Sequence, residues 1–139
     1  ALQSPTLARG APNSAAFFTT VGAARYFVEL RMRGQYRDLV SLIEFGDVRI
    51  DLVRRVVERG GVPLHLTPIE YKLLTCLATQ PDRVLTHPQL LKAVWGPGHA
   101  QDTHYVRVHM ANLRKKIEAD PSMPRHLLTE AGIGYRFVA

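Results

Sequence analysis

The chain has 139 residues, a length that suits one domain with extensions, and a 46% hydrophobic content typical of a folded, soluble protein. Its net charge of +6 favours an anionic partner, either nucleic acid or an acidic surface. Cys76 is the single cysteine, which excludes an intrachain disulfide, and neither a run of ~20 apolar residues nor a secretory signal is present, so a cytoplasmic protein with no membrane partner is expected.

Residues 1–42 form a leader of different character from the rest. They hold five Arg against Glu29 and Asp38. Ala1 to Ser14 is rich in Ala, Pro, Ser and Gly, a composition that predicts disorder. Ala15 to Leu42 mixes apolar residues with scattered Arg, with a helix expected around Ala23–Met32 and a stop at Gly34.

From Ile43 the punctuation becomes orderly, and residues 43–139 read as one domain. Ile43–Phe45, Val48–Asp51, Arg55–Arg59 and Leu64–Leu66 are strand candidates, separated by turn signals at Gly46-Asp47 and Gly60-Gly61. They predict a small antiparallel meander.

Thr67-Pro68-Ile69-Glu70 is a helix start. Thr67 is the N-cap, Pro68 takes the first helical position and Glu70 closes a capping box. Ile69, Leu73, Leu74 and Leu77 form the buried stripe of this first helix, and Cys76 among them is expected to be buried and inert. Pro81 and Asp82 stop it, and Val84-Leu85 is a short extended bridge. Thr86-His87-Pro88-Gln89 repeats the capping logic for a second helix carrying Leu90, Leu91, Val94 and Trp95. Gly96-Pro97-Gly98 ends that helix sharply.

A third helix, capped by Asp102 or Thr103, runs to about Glu118. It places Val106, Met110, Leu113 and Ile117 on one face. Arg107, His109, Asn112, Arg114, Lys115 and Lys116 occupy the rest, and no acidic residue lies between Thr103 and Ile117. Such a helix suits a nucleic-acid groove, because cations neutralise phosphates while Asn and Arg pair with base edges. His126–Thr129 and Tyr135–Val138 are strands around the turn Ala131-Gly132-Ile133-Gly134. The order strands, helix, helix–loop–helix, hairpin is that of an α+β winged helix-turn-helix, with the third helix set for the major groove and the hairpin for an adjacent minor groove.

The stretches LTPIEYKLLTCLATQPDRVLTHPQLLKAVWG, HYVRVHMANLRKKIE and TEAGIGYRF resemble the C-terminal DNA-binding domain of OmpR/PhoB-class two-component response regulators. The resemblance covers about residues 43–139 and is most marked to regulators of potassium-uptake operons. It implies a four-stranded N-terminal sheet, a three-helix core and a C-terminal wing. It also implies binding to tandem direct repeats of double-stranded DNA, usually as a head-to-tail dimer. The Gly96–Gln101 loop resembles the one that contacts RNA polymerase in this family. Complete members carry a receiver domain of which residues 1–42 hold no recognisable motif, so a truncated or rearranged regulator is expected.

By family position, His104, Arg107, Ala111 and Asn112 face the groove. Arg107 suits guanine, Asn112 suits adenine, and Ala111 offers apolar contact, for instance to a thymine methyl. Arg114 and Lys115, further along the helix, suit phosphate, and His109 is a candidate either for a phosphate hydrogen bond or for a packed, neutral place. Trp95 is a candidate either to donate its indole N–H to a phosphate while its ring packs on the core or to be purely structural. Thr86 caps its helix and touches phosphate together. On the wing, Thr129 and Arg136 are the contact candidates, although Ala131 stands where many relatives carry a basic residue.

Enzymatic readings find no support. His104 and His109 are five apart, which does not place two metal ligands on one helix face. No phosphate-binding glycine loop or nucleophile motif is present. Catalytic, cofactor and metal sites are therefore expected to be absent. The alternative function is a winged-helix protein-interaction module, binding polymerase or a partner regulator with weak or lost DNA affinity.

Overall fold

Two-residue turns govern the first half of the molecule, a computed structural model that describes residues 14–32, 36–99 and 102–139. The strands β1 (Ser14–Val21), β2 (Ala24–Met32), β3 (Tyr36–Phe45), β4 (Val48–Asp51), β5 (Val56–Arg59) and β6 (Val62–Leu64) form one antiparallel sheet in sequence order. Gly60 and Gly61 join β5 to β6 with φ of +59° and +78°. A two-residue hairpin with both central residues at positive φ fits the twist of its strands, and glycine adopts that conformation without strain. The turn pairs Arg59 with Val62, so β6 begins at Val62 and not at the expected Leu64. Pro63 is tolerated because β6 is an edge strand of the sheet.

The expected Arg55–Arg59 strand starts one residue later. Arg55 adopts φ +56° in the preceding turn, and the Asp51 carboxylate accepts the Val53 and Arg54 N–H groups there at 3.1 and 2.9 Å. The sheet also has six strands instead of the implied four. Its additional strands are β1 and β2, and β2 replaces the helix expected at Ala23–Met32. The governing signal is period two: Ala24, Tyr26 and Val28 are buried while Arg25 between them is exposed. Arg25 lies 3.8 Å from Glu44, its cross-strand partner, and over the Phe18 ring at 4.5 Å. Tyr26, Ile43, Ile50 and Val57 continue one buried row across four strands. Strand β3 runs through position 42, so the change in composition there does not fall at the end of a strand. The disorder expected before Ser14 and the stop at Gly34 lie outside the described residues.

The second unit, residues 65–138, holds α1 (Pro68–Ala78), α2 (His87–Val94) and α3 (Thr103–Ile117), with a three-stranded sheet. That sheet has the order β7 (Val84–Thr86), β9 (Gly134–Phe137), β8 (Leu127–Glu130). Both expected capping boxes form. The Glu70 N–H donates to the Thr67 hydroxyl while its carboxylate accepts the Thr67 N–H, and Gln89 does the same with Thr86. The three helices pack against one another around Leu73, Leu74, Leu77, Leu90, Leu91, Val106, Met110 and Leu113, all fully buried. Cys76 is only half-buried, and burial pushes its thiol pKa up, away from a reactive thiolate. No helix among the described residues is long and apolar enough to cross a membrane.

Lys116 is not the solvated residue its place on α3 suggests. Its ammonium donates to the Glu70 carboxylate at 2.6 Å, fastening α3 to the first turn of α1. Burial raises the Glu70 pKa, but the Lys116 bond and charge, with the Thr67 N–H and hydroxyl, outweigh it and leave the net value below the usual carboxylate range. A depressed carboxylate pKa stabilises the fold above its unfolded value, and that contribution disappears as pH falls through the folded value. Lys116→Met should therefore cost about 1–2 kcal/mol at pH 7, less than for a fully buried pair because Lys116 remains partly exposed. The difference from wild type should shrink in the acid range. Urea unfolding between pH 7 and pH 3 measures it, and a gap independent of pH would exclude the ion pair as its source.

Candidate nucleic-acid interface

The buried stripe of α3 fixes what the helix shows elsewhere. With Val106, Met110, Leu113 and Ile117 turned inward, the opposite side carries His104, Val108, Ala111, Asn112 and Lys115, all exposed. Sequence reasoning omitted Val108, which is 42% exposed at the centre of this face. An angular projection at 100° per residue locates it there, so the signal was present. His104, Ala111, Asn112 and Lys115 thus share one surface, as their candidate roles require.

The two flanks of the helix differ. On one, Arg107 is exposed, and its charge adds to burial in lowering the His87 pKa and works against burial at Tyr135. Arg114, about two turns further on, is engaged with the wing. Its Nε and Nη2 donate to the Leu127 carbonyl at 3.0 and 2.7 Å, and Nη2 donates to the Thr129 hydroxyl at 2.8 Å. Its guanidinium also lies 5.5 Å from the centre of the Tyr135 ring. Burial lowers its pKa, opposed by Tyr135 and Glu118, yet arginine stays charged throughout the accessible range. Arg114 thus spends three donor contacts joining α3 to β8.

On the other flank, Trp95 at the C-cap of α2 stacks near Tyr105 at 6.3 Å and meets His109 edge-on at 5.3 Å. The His109 Nδ1 bonds the Tyr105 carbonyl at 2.8 Å. These rings tie the end of α2 to the start of α3. Asp102 takes the N-cap position of α3 but makes no side-chain cap bond. Its carboxylate instead meets the His99 Nδ1 at 3.0 Å, beside the single 3-10 turn Pro97–His99. Ala100 and Gln101 of the expected polymerase loop lie outside the described residues.

Thr86 sits where β7 passes into α2. Its hydroxyl oxygen accepts the Gln89 N–H, leaving the hydroxyl proton available to donate. In the wing, Thr129 pairs with Tyr135 and Leu128 with Arg136. Directly paired residues share a face, and neighbours alternate. Thr129 therefore faces with Tyr135 and is bonded by Arg114, whereas Arg136 lies on the opposite face and pairs with Glu130 at 2.9 Å. The two wing candidates do not converge.

Glu118 is a determinant that sequence reasoning treated only as a helix end. It is 2% exposed, and its carboxylate accepts the backbone N–H groups of Arg125, His126 and Leu127 at 3.0–3.2 Å. Leu127 is thus gripped from both sides, its N–H by Glu118 and its carbonyl by Arg114. These bonds fasten the end of α3 to the start of β8.

This arrangement has known counterparts. A family model described as "Transcriptional regulatory protein, C terminal" matches residues 61–137. The chain is 48% identical over 115 residues to the KDP operon transcriptional regulatory protein KdpE of Escherichia coli K12, covering 83% of this chain and 51% of that protein. It is also 48% identical over 98 residues to the transcriptional regulatory protein KdpE of Mycobacterium tuberculosis, covering 70% and 43%. The chain thus spans about half the length of these relatives. Among solved structures, the Thermotoga maritima OmpR/PhoB homologue DrrB aligns with a TM-score of 0.65 and 33% identity, over 72% of this chain and 45% of that one. The Klebsiella pneumoniae RstA DNA-binding domain, solved in complex with the RstA box, aligns with a TM-score of 0.62 and 32% identity, over 70% and 96%. With the family pattern spanning more than half its length and the winged helix-turn-helix in place, the chain belongs to the transcriptional regulatory protein C-terminal family, the OmpR/PhoB-type output domains of response regulators.

Proposed function

We propose that this chain binds double-stranded DNA sequence-specifically and regulates transcription of a potassium-uptake operon in the cytoplasm. The observation that carries this reading is the outward face of α3. It is free of acid, and His104, Val108, Ala111, Asn112 and Lys115 share it. Its width suits the major groove, where Asn112 offers a bidentate pairing to adenine and Val108 with Ala111 offers apolar contact to thymine methyls. The relatives named for the Kdp operon and the RstA complex with its DNA box support the reading.

Phosphate contacts then fall to Lys115, to the Thr86 hydroxyl, and to the Trp95 indole with His109 at the other edge. Arg114 acts chiefly as a positioning residue, holding Thr129 and the wing against α3. Arg136, paired with Glu130 on the far face of the wing, contributes to the hairpin more than to the groove. Tandem direct repeats suit a head-to-tail pair of such domains, and the Gly96–Gln101 loop is the candidate surface for RNA polymerase.

The test is fluorescence anisotropy on a duplex with a Kdp-type direct repeat, against a scrambled duplex, across a salt series. Preferential binding that weakens linearly in log salt is the expected result. Asn112→Ala should lose about tenfold on the repeat duplex, with little change on the scrambled one, because a bidentate base contact discriminates sequence while phosphate contacts do not. Equal weak binding to both duplexes would overturn the reading and favour a partner-binding role.

A further inference from the structure

The tip of the wing is apolar and anchored. Among the described residues of the second unit, the large apolar side chains left exposed are Tyr105, Val108, Met123 and Ile133, and all but Met123 lie on α3 or in the wing turn. A single exposed apolar residue is ordinary on a protein surface, but here they gather on the two elements that the fold offers to DNA. Ile133 is 53% exposed, between β8 and β9. Its N–H donates to the Glu130 carbonyl at 2.9 Å and closes the turn, while its carbonyl accepts the His87 N–H of α2 at 3.1 Å. The next residue, Gly134, pairs with Thr86, the N-cap of α2 and a phosphate candidate. The Ile133 backbone is thus fastened on both sides, at the corner where Thr86 would meet the DNA backbone.

The charge around this side chain is balanced. Ala131 to Gly134 carry no charged group, and the flanking Glu130 and Arg136 answer each other at 2.9 Å. Such a tip neither attracts phosphate strongly nor repels it. What it offers is an apolar surface already fixed in shape, so seating it costs little ordering. The minor groove is where an apolar surface discriminates. A·T and T·A pairs show only acceptors on its floor, whereas G·C adds the guanine N2 amine as a donor. An apolar side chain seated there fills the space of that amine, strips its water and returns no hydrogen bond.

We infer that Ile133 is a specificity-determining residue of the DNA interface, seated in the minor groove beside the segment read by α3, where it rejects base pairs bearing the guanine amine by apolar contact and not by charge. The inference rests on the reading of α3 as the groove-binding helix. It gives the wing a selective part that neither Thr129, bonded by Arg114, nor Arg136, paired with Glu130, is placed to play.

The experiment is anisotropy of the full chain on the direct-repeat duplex, with the minor-groove amine changed one base pair at a time. Inosine in place of guanine removes that amine and 2,6-diaminopurine in place of adenine adds it, while the hydrogen-bonding groups of the major groove stay the same. At one position or more in each half-site the amine should weaken wild-type binding about fivefold, and Ile133→Ser should show no such position. On the unmodified duplex Ile133→Ser should lose about fivefold at every salt concentration, its log–log line parallel to that of the wild type. Lys115→Ala, by contrast, should flatten the slope by about 0.9. Ile133→Val should keep the discrimination. The side chain is exposed and takes no part in the turn's hydrogen bonds, so both Ile133 variants should melt with the wild type. A scan in which wild type and Ile133→Ser respond alike at every base pair would overturn the inference, and so would a salt slope changed by Ile133→Ser. Either result with specific binding intact sinks only the role of Ile133, whereas a wild type that does not prefer the repeat to a scrambled duplex overturns the DNA-binding reading as well.

Discussion

Glu118→Ala should destabilise the chain by about 3 kcal/mol, because a buried, charge-assisted acceptor is removed from the three backbone donors it serves. Truncation takes from the Arg125, His126 and Leu127 N–H groups the carboxylate to which they donate. It also removes the charge that helps hold Arg114 beside Leu127. Glu118→Gln should recover only part of the loss, since its amide nitrogen is turned towards other donors. Urea unfolding measures the loss, and amide hydrogen exchange at 125–127 locates it. A change below about 1 kcal/mol for the alanine variant would contradict the clamp. Because the same clamp seats the wing, DNA affinity should fall before global unfolding does.

Gly134→Ala is expected to be comparably damaging, about 3 kcal/mol, although it adds a single methyl group. Strand β9 passes so close to β7 at this point that a Cβ on Gly134 would overlap the Leu85 carbonyl oxygen and lie 2.8 Å from the Leu85 carbonyl carbon and the Thr86 Cα. These are backbone atoms, which no side-chain rotation can move aside. Relief requires opening the Thr86–Gly134 pair, and with it the bond from the His87 N–H to Ile133 that docks α2 on the wing turn. Circular dichroism melting should fall sharply while α1 and α3 keep their helical signal. A variant with an unchanged melting temperature would show that the strands can separate at no cost. At Gly132, by contrast, a Cβ meets nothing within 4 Å, and only its φ of +73° opposes substitution.

Local chemistry was legible in the chain. The two capping boxes at Thr67 and Thr86 act over three residues, and the α3 stripe repeats within a turn or two, so both could be read without the fold. The additional strand β2 was misread because the apolar residues of Ala24–Met32 satisfy a loose helical pattern as well as strict alternation. Pairing with β1 and β3 selects the latter.

What the sequence by itself determined is the identity and order of α1, α2 and α3, the inward stripe of α3, the tight turn at Gly60-Gly61 and the family pattern carried by those features. Only the tertiary structure decided which cations of α3 remain available to a ligand. Sequence spacing treats Arg107, Arg114, Lys115 and Lys116 alike, as basic residues off the buried stripe. Folding gives Lys116 to Glu70, 46 residues away, and Arg114 to Leu127, 13 residues away. It leaves Lys115 exposed on the outward face. The physical reason is range. Caps and helical periods are set by neighbours along the chain, whereas the partner of a long charged side chain is set by whichever distant strand or helix packs within hydrogen-bond reach of its end.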